Sequence, residues 1–382
     1  MKIVIAPDSY KESLSSSRVA QQIEDGFKEI FPHAEYVSLP MADGGEGTVE
    51  ALVAATHGRI VRKTVTGPLG VSTSAFYGLT GDGQTAIIEM AAASGLELVP
   101  IQLRNPLLTT TYGTGELIRD ALDSNVRHII IGIGGSATND GGVGMLQALG
   151  VRFLDKNGES IGFGGGELSR LVQLDVSAMD QRLADCKIEV ACDVDNPLIG
   201  PKGAAAIFGP QKGATPEMVK LLDANLAHYS QVITNCLGID ISNVSGAGAG
   251  GGLGAAMLAF LKAKLTPGVE IVTNAVGLDK EICNADLVIT GEGRIDSQSI
   301  NGKTPIGVAR IAKRHNRPVI GIAGSLTSDV EVVYSHGLDA VFSVLYTICS
   351  RQEALNEAAE NVRLAARNIA AAFNMGLIQK KS

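Results

Sequence analysis

Four acidic or basic residue groups in this chain each stand directly behind a short apolar run, where a strand would end. KIVIAP (2–7) leads into Asp8, Ser9 and Lys11. Open α/β sheets bind ligands at the carboxyl ends of their strands, so these side chains would face such a crevice; a helix-capping turn would use the same residue types. AEYVSLP (34–40) leads into Ala42-Asp43-Gly44-Gly45-Glu46-Gly47-Thr48. Glycines there can aim N–H donors at an anion while Asp43 meets Mg²⁺, the plain alternative being a glycine-rich turn capped by Asp43. KIEVACD (187–193) places Asp193 and Asp195 two residues apart, on one side of an extended chain. A strand-end aspartate suits a general base or metal ligand, or simply an Asx turn ahead of Pro197. DLVIT (286–290) feeds Arg294, Asp296, Lys303 and Thr304. Gly302-Lys303-Thr304 echoes the end of a P-loop, but Ser297 stands where its first glycine is required, so it is not one. Pro305 favours a first helical position, which sets a cation and a hydroxyl at a helix N-terminus.

Two further segments are rich in glycine. HIIIGIGGSATNDGG (128–142) pairs an apolar strand with a flexible loop bearing Ser136, Thr138, Asn139 and Asp140. Gly132, Gly134 and Ala137 fit a loose dinucleotide fingerprint, with Asp155 about 20 residues on. A dinucleotide helix would have to begin across Gly141-Gly142, at a cost of roughly 2 kcal/mol against Ala-Ala. The spacing therefore predicts a longer loop and a helix from near Val143, better suited to holding a small polar ligand. The run Ser245 to Ala256, with Gly248, Gly250, Gly251 and Gly252, could cradle phosphate with backbone N–H groups. Close helix packing would also explain glycines there.

Composition limits what these groups can serve. Net charge is −8, which argues against nucleic-acid binding. Five cysteines without a C-x-x-C pair, and six histidines without an H-x-x-x-H pair, argue against a disulfide framework or a Cys/His zinc site. MKIVIAPDSY reads as a strand and not a signal peptide, and no apolar run reaches 18 residues, so the expectation is a cytoplasmic protein with no membrane partner. Acidic strand ends, lysines and glycine loops together suggest Mg²⁺-dependent phosphoryl transfer, which needs positioning and charge neutralisation more than a covalent nucleophile.

The elements that must position these residues alternate short apolar runs with amphipathic stretches, the pattern of an α/β fold. A helix is predicted over 15–30, with Ser15–Ser17 as capping candidates, and another over 48–56. RIVRKTVTG, VSTSAFYGL and TAIIEMA follow one another too closely for βαβ units and predict antiparallel or mixed sheet. The βαβ rhythm returns from Ala285. The chain thus divides into a discontinuous parallel-sheet domain (1–60 and 285–382) and an inserted α/β domain (61–284).

IAPDSYKESLS (5–15), ADGGEGT (42–48), GIGGSATNDGG (132–142), ACDVDNPLIG (191–200), FGPQKGA (208–214), GAGAGGGLGAA (246–256) and GEGRIDSQSINGKTPIGVA (291–309), in colinear order over the full chain, resemble the bacterial type-1 glycerate kinase family. The likeness is to enterobacterial glycerate 2-kinases of glucarate, galactarate and glyoxylate use. Glu12 stands where many members have glycine. The resemblance implies phosphorylation of D-glycerate at its C2 hydroxyl by ATP with Mg²⁺. It also implies a flavodoxin-like domain and an inserted domain with the site between them. On that footing Asp193 is expected to take the hydroxyl proton, and Asp43 and Asp296 to hold Mg²⁺. Lys11, Arg294 and Lys303 would balance the substrate carboxylate and the γ-phosphate, a fixed carboxylate suiting Arg294 best. Asp8, Ser9, Ser136, Thr138 and Asn139 would orient glycerate, with Gly248, Gly250, Gly251 and Gly252 near the nucleotide. Transfer to C3 and a non-catalytic sensor of an acidic sugar metabolite are the alternatives; oligomeric state is not legible.

Overall fold

A computed structural model describes residues 1–379. In chain order the strands are β1 (Lys2–Pro7), β2 (Glu35–Ser38), β3 (Arg59–Thr66), β4 (Ser72–Leu79), β5 (Thr85–Glu89), β6 (His128–Gly132) and β7 (Arg152–Leu154). They continue as β8 (Gln173–Asp175), β9 (Lys187–Ala191), β10 (Lys264–Thr266), β11 (Leu287–Ile295), β12 (Val319–Leu326) and β13 (Ala340–Ser343). The chain forms two compact units, residues 1–57 with 268–382 and residues 58–267.

The first unit is built on a five-stranded sheet of order β13-β12-β11-β1-β2, parallel throughout. Counted within the unit this is 2-1-3-4-5, the flavodoxin-like order, which reverses direction between β1 and β11. Parallel strands covered on both faces read as continuous apolar runs, and Ile3, Val4 and Ile5 are accordingly all fully buried. Helix Ser16–Lys28 is capped by Ser15, whose side chain accepts from the Arg18 N–H at 3.3 Å. Its Val19, Ile23 and Phe27 join Val362, Ala366 and Ala370 of helix Ala358–Gln379 in the core over β1 and β11. Gly26 makes that crossing possible, since a Cβ there would lie 2.3 Å from the Arg363 carbonyl oxygen.

The return to the first unit comes at 268, earlier than the sequence rhythm placed it. Residues 268–284, which that rhythm assigns to the inserted domain, carry helices Gly268–Ala275 and Leu278–Cys283 and belong to the first unit. Gly268 packs on Asp43 so closely that a Cβ would lie 1.9 Å from the Asp43 carbonyl oxygen, and Val269 fills the space over Gly307. Two short helices carry no strand signal, so the rhythm shows the boundary only at β11.

The second unit holds a six-stranded mixed sheet of order β10-β9-β6-β5-β4-β3 and a two-stranded ribbon of β7 and β8. β3, β4 and β5 meander antiparallel, as their close spacing predicted, while β5, β6, β9 and β10 run parallel. The helix behind β6 begins at Val143, beyond a left-handed Gly142. Among the described residues no helix is long and apolar enough to cross a membrane.

Candidate active site

The first unit gathers its polar residues where β1 ends beside the still-running β11. The ladder continues past β1 through the Asp8 N–H, which donates to the Gly291 carbonyl at 2.8 Å. Asp8 is therefore fixed at the topological switch point, where such sheets bind ligands. Asp8 is only 8% exposed. It accepts from the Thr304 hydroxyl at 2.6 Å and from the Ser9 N–H at 2.6 Å. Burial lifts its carboxyl to about 6 despite the pull of Thr304, and Asp43 adds to the lift.

One strand over, Glu292 accepts from the Ser299 hydroxyl and pairs with Lys303 at 3.5 Å. Burial raises it to about 7, against the counter-pull of Ser299 and Lys303. Thr304 opens helix Thr304–Arg314, with Lys303 as N-cap and Pro305 in the first turn. The helix N-terminus, Lys303 and the Thr304 hydroxyl thus face the same pair of carboxylates, an arrangement that favours added negative charge only with cations nearby. Tyr10 is consumed structurally, its hydroxyl donating to the Ile322 carbonyl at 2.8 Å.

A cavity of about 560 Å³ opens here. One wall carries Asp8, Ser9, Lys11, Asp43, Arg294 and Lys303, all from the sequence reading, together with Glu292. Val344, Leu345, Ala354 and Leu355 add apolar lining to the same cavity. Asp296 is not on that wall. Its carboxylate caps the short turn Ser297–Ile300, accepting from the Gln298 N–H at 2.9 Å, and pairs with Arg294 at 3.1 Å. Asp43 accepts from the Gly45 N–H at 3.1 Å and is otherwise turned to the cavity it lines.

In the second unit the 133–142 loop is organised around Asp140. That buried carboxylate accepts from the Thr111 N–H and hydroxyl, both at 2.8 Å, and from the N–H groups of Gly142 and Gly144. Burial pushes it upward and these donors counter the push. Lys212, 2% exposed, donates to the Ser136 hydroxyl at 2.7 Å and to the Thr138 carbonyl at 2.6 Å. The Thr138 hydroxyl and both ends of the Asn139 amide are buried without a protein partner. Asp193 is exposed just past β9.

The glycines of the 246–254 run are closely packed against neighbouring backbone and side chains. A Cβ on Gly251 would lie 2.0 Å from the Thr138 carbonyl oxygen, and one on Gly252 would lie 2.9 Å from the Gly141 Cα. Gly250 faces Ile133 and Gly248 faces the Pro197 carbonyl in the same way. The space the missing side chains leave is occupied by protein, so their being glycine does not require a bound phosphate.

The match to known proteins covers both units. The sequence profile of the glycerate kinase family matches residues 3–374. The chain belongs to the glycerate kinase family. It is 63% identical over 377 residues to the glycerate 2-kinase of Escherichia coli K12, covering 99% of each chain. It is 58% identical over 375 residues to the glycerate kinase of Bacillus subtilis 168, covering 98% of each. A crystal structure of a protein provisionally described as glycerate kinase 2 from Salmonella typhimurium LT2 superposes with a TM-score of 0.93 at 62% identity, over 99% of both chains.

Three residues in these sites carried little sequence signal. Glu292 lies inside β11, where alternation alone marks it as one face of a strand. Lys212 sits 76 residues from its partner Ser136, and Asp140 looks like any loop aspartate. Thr304 carries a clearer signal, a hydroxyl residue directly before Pro305 at a helix start.

Proposed function

We propose that the chain is a glycerate 2-kinase, transferring the γ-phosphoryl group of ATP to the C2 hydroxyl of D-glycerate. The observation that carries the phosphoryl-transfer reading is the buried Asp8–Thr304 hydrogen bond beside Lys303 at a helix N-terminus, placed at the switch point of a parallel sheet. The family match supports the substrate, and the name of the Escherichia coli relative supports position C2.

In this reading Lys11, Arg294 and Lys303 neutralise phosphate charge, which is most of what phosphoryl transfer asks of a protein. Mg²⁺ usually takes one or two carboxylates plus substrate phosphates, so a cage of protein ligands is not needed. Among the described residues no group of three or more carboxylate, His or Cys side chains could hold a metal by itself. Asp43, on the cavity wall beside Asp8, fits a partial ligand set; Asp296 fits less well, because its carboxylate already serves a cap and Arg294. Bound there, the metal would offset charge on the transferring phosphoryl group.

Two aspartates compete for the proton of the attacking hydroxyl. Asp193 is the strand-end candidate of the second unit and stays open to solvent. Asp8 has the stronger electrostatic case, since a carboxyl near 6 is well matched to accept a proton at neutral pH. Ser9, Ser136, Thr138 and Asn139 would orient the substrate, Thr138 and Asn139 having buried polar atoms still to satisfy. The test is ADP release on adding D-glycerate to protein with Mg-ATP. Glycerate-dependent ADP supports the kinase; glycerate binding without ADP would mark a sensor.

A further inference from the structure

Lys212 lies outside the groups used above. It sits in the turn Pro210–Lys212, and its ammonium is enclosed by the second unit. An ammonium has three N–H donors. Two are used, on the Ser136 hydroxyl and the Thr138 carbonyl, and both acceptors are uncharged. Among the described residues Lys212 forms no ion pair. Asp140 is the charged group that acts on it, through space, while the Asp140 oxygens bond Thr111, Gly142 and Gly144.

A buried cation without a counter-ion is costly and is normally paired or neutralised. Desolvation indeed pulls Lys212 down to about 7, with Asp140 countering. The same loop holds the buried, unpartnered Thr138 hydroxyl and Asn139 amide. Beside Ser136 the chain is open. Gly134 and Gly135 are exposed, and nothing lies within 4 Å of where a Gly134 side chain would stand.

We propose that Lys212, with Ser136 and the Thr138 hydroxyl, forms an anion site, and that the anion it takes is the carboxylate of the acceptor hydroxy acid. This rests on the glycerate reading. Charge decides between carboxylate and nucleotide. A single buried ammonium matches a monoanion, whereas a triphosphate needs several cations, which are found together on the first unit's cavity wall as Lys11, Arg294 and Lys303. Lys212 is then a substrate-binding residue, and Asp140 a positioning residue that fixes the loop.

Calorimetric titration of D-glycerate alone and ADP alone, between pH 6.5 and 8.5, tests this without turnover. Lys212→Met should weaken D-glycerate about tenfold or more, as loss of a charge-assisted bond does, and leave ADP affinity within about twofold. Wild-type affinity for D-glycerate should fall with pH above about 7, approaching tenfold per unit, as the ammonium deprotonates. Lys212→Arg stays charged and should lose that slope. A slope that persists in Lys212→Arg would belong to another group and overturns the proposal. Equal losses for ADP and D-glycerate, or a lower melting temperature with unchanged affinities, would make Lys212 a strut and also overturn it. If Lys212→Met does not fold, Ser136→Ala and Lys212→Arg carry the test, Ser136→Ala weakening D-glycerate alone by severalfold. L-Lactate and inorganic phosphate serve as control anions. Lys212-dependent binding of either, with none of D-glycerate, keeps the anion site and sinks the glycerate reading; Lys212-independent binding of all three sinks the site.

Discussion

Gly251→Ala separates two roles for the glycine run, packing and phosphate binding. The residue has φ +71°, and an added Cβ would stand 2.0 Å from the Thr138 carbonyl oxygen and 2.8 Å from the Asn139 Cα. A left-handed L-residue costs about 1–2 kcal/mol, and overpacking a tight site typically adds about 1–3 kcal/mol. The loop cannot retreat cheaply, because Lys212 holds the same Thr138 carbonyl and Asp140 holds the next turn. The sum is about 2–5 kcal/mol, or a Tm lower by roughly 4–20 °C for a unit of this size. Gly158→Ala is the control. It has φ +78° with nothing within 4 Å of the added Cβ, so only the backbone cost of about 1–2 kcal/mol applies. Thermal unfolding of both variants should place Gly251→Ala clearly below Gly158→Ala. Equal losses would refute the packing argument, and a stable Gly251→Ala that no longer binds ATP would put a ligand, and not protein, against this glycine.

Other outcomes follow from the first unit. Thr304→Val removes the hydroxyl on buried Asp8, the largest influence keeping that carboxyl down, so the acid limb of kcat/KM should move to higher pH; an unmoved limb would detach Asp8 from catalysis. Asp8→Asn and Asp193→Asn settle the base, since its loss should lower kcat about 10²-fold or more while the other variant loses far less. Glu292 rises from 4.5 to about 7 on folding, so the folded state binds more protons between those values, and stability from this group is present below about 4.5 and lost as pH climbs through 7. Glu292→Gln should flatten the decline of Tm between pH 5 and 7.5, and an unchanged decline would contradict the burial argument. Asp43→Asn should raise the Mg²⁺ concentration needed for half-maximal rate, with Asp296→Asn changing it less.

Much of this was legible because strands advertise themselves. KIVIAP coincides with β1, and the close spacing of RIVRKTVTG and VSTSAFYGL gave the antiparallel pair β3 and β4. Gly141-Gly142 correctly pushed the helix start to Val143, since both glycines adopt left-handed backbone. What stayed hidden depends on burial and distant pairing. Asp296 and Asp43 look alike in sequence, yet one is spent on a cap and the other lines a cavity. The glycines at 248–252 read equally as a phosphate cradle or as packing, and the loop that lies against them is distant in sequence. Lys212 acquires its interest from being enclosed, a property no local pattern encodes.

The most direct test of the central claim couples purified protein, D-glycerate and Mg-ATP to enolase alone and follows the absorbance of phosphoenolpyruvate. A glycerate 2-kinase gives signal at once, because enolase accepts 2-phosphoglycerate. Signal only after adding phosphoglycerate mutase would mean transfer to C3, and no signal with no ADP would contradict kinase activity altogether.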